Sequence, residues 1–209
     1  MSYSSRVGLM FLIVGAGVGA PAVSVDAQNA EPNPYRTVPG VWAPLPDGRE
    51  WGSTSLVEVS PDGETIWAVD RCGENNCVGH DDLDVVFQFD KRGRILTQFG
   101  AGMFEWPHGI DVDAAGNVWE ADGQNNAPRG RGRGAGTPPP APTTLYGHQV
   151  LKFSPEGELL MTLGIPGGGR GSGYFFQPND VYVAPNGNIF VAGGHGNNAQ
   201  NNPARILKF

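Results

Sequence analysis

Charge, cysteine and helical periodicity are all scarce in this 209-residue chain, and each shortage removes a class of protein. Only 17% of residues are charged and the net charge is −7, which argues against a nucleic-acid footprint. The Arg-Gly run at Arg129, Arg131 and Arg133 is local and reads as a solvated loop. No segment keeps a 3.6-residue apolar period, so helices are not the framework. The glycine run from Gly167 to Gly171 lacks the Gly-Lys-Ser/Thr ending of a phosphate loop and reads as a linker. The apolar run from Val7 to Val23 is broken by glycines and leads to Val25-Asp26-Ala27, a small-x-small cleavage site. Residues 1–27 therefore predict an export signal rather than a membrane span, and a secreted or periplasmic protein with no membrane association once the signal is removed.

Both cysteines, Cys72 and Cys77, sit in one short loop. An oxidising exterior favours a disulfide between them, and a loop that small gains rigidity more than stability. A metal site made of two cysteines alone is the weaker reading.

Glycine (32 residues) and proline (18) are abundant, which points to turns between short strands. Written in register, the chain repeats itself. Leu56-Val57-Glu58-Val59-Ser60-Pro61-Asp62-Gly63 leads to Thr65-Ile66-Trp67-Ala68-Val69-Asp70. Ile110-Asp111-Val112-Asp113-Ala114-Ala115-Gly116 leads to Val118-Trp119-Glu120-Ala121-Asp122, and Asp180-Val181-Tyr182-Val183-Ala184-Pro185-Asn186-Gly187 leads to Asn188-Ile189-Phe190-Val191-Ala192. Each phrase reads as a hairpin with glycine at the tight turn. A second hairpin follows: Val85 to Gly100, then Gln149 to Gly164, then Arg205 to Phe209 for its first strand alone.

Four short antiparallel strands per unit with one variable loop describe a blade of an all-β propeller. The expected layout is a lead-in over residues 28–50 and a partial propeller over 51–209. Its blades cover about 51–100, 104–164 and 175–209, the last incomplete, so the chain reads as truncated at Phe209. The Pro- and Gly-rich stretch from Asn125 to Tyr146 is an insertion between strands, suited to display toward a protein partner.

In a propeller the first strand of each blade lines the central channel, which brings distant residues together at one end. His108 opens such a strand, where it is either a metal ligand completed by other blades or a hydrogen-bonded packing residue. Arg71 precedes the cysteine loop and is either a carboxylate-binding guanidinium or a surface arginine near Asp70. His195 follows the equivalent strand of the third unit among glycines, either exposed or placed as an acid or base. His148 and His80 read as structural or solvated, and Asp62, Asp111 and Asp113 as turn residues.

The set Asp70-Arg71-Cys72-Gly73, Phe104-Glu105-Trp106-Pro107-His108-Gly109-Ile110-Asp111-Val112, His148 to Phe153, Gln177 to Val181 and Ala204 to Phe209 resembles the NHL-repeat, six-bladed peptidyl-α-hydroxyglycine α-amidating lyases, especially exported bacterial relatives. The resemblance implies three blades of six, with His108 as one of three zinc-binding histidines. It implies a structural calcium held partly by the carbonyls of Ile110 and Val57, and Arg71 as partner of the substrate carboxylate. The family's catalytic tyrosine has its place at His195, and Gly193 replaces an aspartate before it. Imidazole titrates near neutral pH, so His195 is a candidate base. The implied reaction releases glyoxylate from a peptide ending in α-hydroxyglycine, with a peptide or small molecule as substrate. The fragment by itself is expected to be inactive. A non-catalytic propeller that binds protein or glycan through its loops, or a lactonase-like metal hydrolase, is the alternative.

Overall fold

The computed structural model describes residues 34–128, 141–195 and 204–209. The expected export signal, and the Arg-Gly part of the insertion, lie outside the described residues. The chain divides into two units, Met1–Val38 and Pro39–Phe209. In the first, the described residues 34–38 are exposed and carry no strand. Every strand among the described residues belongs to the second.

No helix appears among the described residues, and none is long and apolar enough to cross a membrane. Strands β1 (Thr54–Val59), β2 (Thr65–Asp70), β3 (Val86–Asp90) and β4 (Ile95–Phe99) form one antiparallel sheet in sequence order. Strands β5 (Pro107–Val112), β6 (Val118–Asn125), β7 (Gly147–Phe153) and β8 (Leu159–Leu163) form a second of the same plan. A third holds β9 (Pro178–Val183), β10 (Ile189–Gly193) and β11 (Arg205–Lys208). The first strand of each sheet lies beside the next, β1 against β5 and β5 against β9. The all-β, bladed architecture read from the repeat is the one observed.

Alternation along the strands supplies two faces per blade, and the cores lie between blades. Trp67, Val69, Val86 and Phe99 of the first blade meet Ile110, Val112, Val118, Leu151 and Phe153 of the second. Trp119, Ala121 and Val150 of the second meet Val181 and Val191 of the third. The outer face of the first blade, with Ala68, Phe87 and Phe89, is covered by Leu45 from the lead-in and by Trp51.

The hairpin turns close by side-chain capture of backbone. Asp113 accepts the N–H groups of Ala115 and Asn117, the indole N–H of Trp119 at 3.0 Å and the Lys152 ammonium at 3.1 Å. Gly116 follows at φ +84°, which an L side chain resists. Asp62 serves the first turn more simply, accepting Glu64 N–H. Asp111 departs from the turn role expected of it. It lies within β5, buried, and its Oδ2 accepts the N–H of Val183 in the next blade at 2.5 Å.

Candidate active site

The first strand of every blade breaks register near its start. The irregularity falls between Thr54 and Val57, between Pro107 and Gly109, and between Pro178 and Asp180. An extra residue at such a bulge re-aims its side chain. In β5 that residue is His108. Its neighbour Gly109 permits the close approach of β9, since a Cβ there would lie 2.5 Å from the Asp180 Cα.

Bulging frees backbone donors, and two carboxylates of β6 take them. Glu120 Oε1 accepts His108 N–H at 2.9 Å, while Asp122 accepts Trp106 N–H at 2.7 Å and Glu105 N–H at 3.1 Å. Both acids are fully buried. Burial, with the charge of Asp122 beside it, pushes the Glu120 carboxyl well above its usual range, and Oε2 has no hydrogen-bond partner among the described residues. Burial also pushes Asp122 up to about 7, against the pull of its backbone donors. Neither acid stood out in the sequence. The only signal is an acid at alternate positions of an otherwise apolar strand, Val118 to Asp122.

The His108 ring meets the Asn179 carbonyl through Nδ1 at 2.9 Å. A carbonyl only accepts, so Nδ1 carries the proton and Nε2 presents a lone pair. Burial, then the nearby Arg71 charge, lowers the His108 pKa, which favours the neutral ring. A fixed tautomer with a free basic nitrogen suits a metal ligand. Ile110 and Val57 could contribute only backbone carbonyls to a metal, since neither side chain carries a donor atom. Ladder bonds at Asp113/Asn117 and Ser60/Thr65 make Asp111 and Glu58 the hydrogen-bonded positions by alternation, so the carbonyls of Ile110 and Val57 face away from β6 and β2. Their side chains diverge: Ile110 is buried between blades, Val57 exposed on the outer face of the first. Among the described residues no group of three or more His, Cys, Asp and Glu is arranged to hold a metal.

Arg71 is buried, not a surface partner of Asp70. Arg49 approaches Asp70 instead, with Nε at 3.3 Å. Arg71 donates from Nε to the Pro107 carbonyl at 2.8 Å and from Nη1 to Asn75 at 3.1 Å, leaving Nη2 without a hydrogen bond among the described residues. Its loop is tied by the Cys72–Cys77 disulfide, which lies in the core between the first two blades. Burial lowers the Arg71 pKa, and the carboxylates of Glu120 and Asp122 oppose that shift.

Trp106, to which the sequence assigned no role, joins the site together. The Arg71 guanidinium lies 4.7 Å from its ring centroid, the His108 ring 4.8 Å and the His195 ring 4.9 Å. His108 and His195 are 5.0 Å apart. His195 is exposed as a residue yet sits on the same platform. Arg71, His108 and His195, one from each blade, thus converge. His148 does not: it is buried, stacks on Phe176 and accepts the Gln177 N–H through Nδ1 at 3.0 Å. His80 lies 3.7 Å from Glu74.

No protein-family model matches the chain. Among curated proteins, a probable peptidyl-α-hydroxyglycine α-amidating lyase of Caenorhabditis elegans is 30% identical over 178 residues, covering 77% of this chain and 42% of that protein. Peptidyl-α-hydroxyglycine α-amidating lyase 1 of Drosophila melanogaster is 34% identical over 123 residues, 56% of this chain and 17% of that protein. The chain is a homologue of the amidating lyases. It spans about two fifths of the length of the nematode relative and less of the fly one. Among solved structures, hydrazine synthase of Kuenenia stuttgartiensis superposes with a TM-score of 0.46 at 12% identity, over 75% of this chain and 33% of that one.

Proposed function

We propose that the protein is an exported peptidyl-α-hydroxyglycine α-amidating lyase that converts a peptide ending in α-hydroxyglycine to the peptide amide and glyoxylate. The observation that carries this reading is the convergence of Arg71, His108 and His195 on Trp106. Arg71 offers Nη2 to the terminal carboxylate, its plane held by Nε and Nη1. His195 takes the hydroxyl proton, the O–H electron pair forms the aldehyde C=O, the C–N bond breaks, and the departing amide nitrogen takes a proton.

Zinc would be held at His108 Nε2 and calcium at the carbonyls of Ile110 and Val57; bound zinc supplies Lewis acidity that lowers the hydroxyl pKa. Tyr146 is a poor substitute for the base, since its hydroxyl donates to Glu105 at 3.2 Å, and burial with that neighbouring charge pushes its pKa up. Export is supported by the Cys72–Cys77 disulfide, a bond of oxidising compartments.

The test is glyoxylate release from a peptide ending in α-hydroxyglycine by the zinc-supplied protein in the full length that its gene encodes. Equimolar glyoxylate and amide are expected. His195→Ala should lower kcat by about 10²–10⁴-fold, the usual worth of a positioned acid or base. Release no faster than spontaneous breakdown overturns the proposal.

A further inference from the structure

We infer that Trp106 is the positioning residue of this site, setting the plane of the Arg71 guanidinium against which a small α-hydroxy or α-keto carboxylate is read. This rests on the reading of Arg71 as the carboxylate-binding group.

Trp106 is itself held from several directions. Its N–H goes to Asp122, its carbonyl accepts Gly123 N–H at 3.0 Å, and only 8% of the residue is exposed. Gly123 leaves room for the indole, because a Cβ there would lie 2.7 Å from the ring. The ring, fixed in this way, meets the guanidinium at 4.7 Å, a cation–π contact that orients a planar cation as well as attracting it. The rings of His108 and His195 stand near-perpendicular to the same indole, at interplanar angles of 77° and 75°. One side chain therefore carries groups from three blades. An aliphatic replacement keeps an apolar side chain, smaller than the indole, but has no electron-rich face; a phenyl ring keeps one.

Three variants, Trp106→Leu, Trp106→Phe and Gly123→Ala, are compared with the parent by calorimetric binding of glyoxylate and by the rate of phenylglyoxal modification at Arg71, mapped by mass spectrometry. Thermal unfolding is recorded alongside. Trp106→Leu is expected to weaken glyoxylate binding by about tenfold, the scale of a partly desolvated cation–π contact, and to speed Arg71 modification about fivefold or more. Trp106→Phe should stay within about threefold of the parent in both readouts. Should Trp106→Leu fail to fold, Gly123→Ala, which tilts the indole without deleting it, is expected to move both readouts in the same direction. Unchanged Arg71 modification in a folded Trp106→Leu or Gly123→Ala variant overturns the inference. A parent that does not bind glyoxylate, with Arg71 modification still raised in the variants, overturns the carboxylate reading and leaves the positioning role of Trp106 standing.

Discussion

Arg71 shows why residue type matters more than charge in this site. Its Nε and Nη1 are spent on Pro107 and Asn75, and its Cζ lies over the Trp106 ring. Lysine has one point charge and cannot reproduce that fork. Arg71→Lys is therefore expected to raise KM for a carboxylate-ended substrate about tenfold or more with a smaller effect on kcat, as read from initial rates of glyoxylate release. A kcat loss at unchanged KM would count against a binding role. The same scale explains which residues were legible in advance. His108, His195 and Arg71 stood out because imidazole and guanidinium are rare at those repeat positions. Trp106, Glu120 and Asp122 did not, since an aromatic before Pro-His-Gly, or an acid on a strand, looks like ordinary packing or solvation until its neighbours are known.

Elements decide how those side chains are aimed. The turn after β5 is organised by one carboxylate, Asp113, whose oxygens hold Asn117, Trp119 and Lys152. Burial alone would raise its pKa, but the hydrogen bonds from Asn117, Trp119 and Lys152 outweigh it and bring the value to about 2. Because the folded value is depressed, this contribution to stability is present above the unfolded pKa of about 4 and is lost as pH falls through about 2. Asp113→Ala should cost about 1–3 kcal/mol in urea denaturation at neutral pH and remove that acid-limb contribution. The cysteine loop is the other element with a testable duty. Reduction of Cys72–Cys77 is expected to loosen the segment carrying Asn75 and to raise KM more than it lowers Tm. Parallel Tm and substrate titrations with and without reductant would check this.

At the scale of the molecule, stability resides in the packing between blades. Phe153 is fully buried, contacting Phe99 of the first blade at a centroid distance of 5.0 Å and Phe104 at 6.0 Å. Phe153→Ala should cost about 3–5 kcal/mol by denaturant unfolding, with no direct effect on the site. The buried acids act in the opposite sense to Asp113. The pKa of Asp122 is raised to about 7 and that of Glu120 is raised as well, so the folded chain holds more protons than the unfolded one above about pH 4. The Asp122 contribution to stability is greatest below about 4 and is lost as pH rises through about 7, and Glu120 acts in the same direction. Urea midpoints at pH 5 and pH 7 should show that fall, and Asp122→Asn should flatten it; a parent equally stable at both values would contradict it.

The sequence by itself determined the strands, their order and their turns, because alternation, glycine and aspartate act over a few residues and recur in register. It also marked the disulfide loop and three of the side chains that meet at the site. Only the tertiary structure decided that those three share one indole, that Asp111 ties β5 to β9, and that a bulge at His108 is stabilised by two buried acids. Those outcomes depend on packing between blades tens of residues apart, where desolvation and close approach, rather than local propensity, set which groups meet.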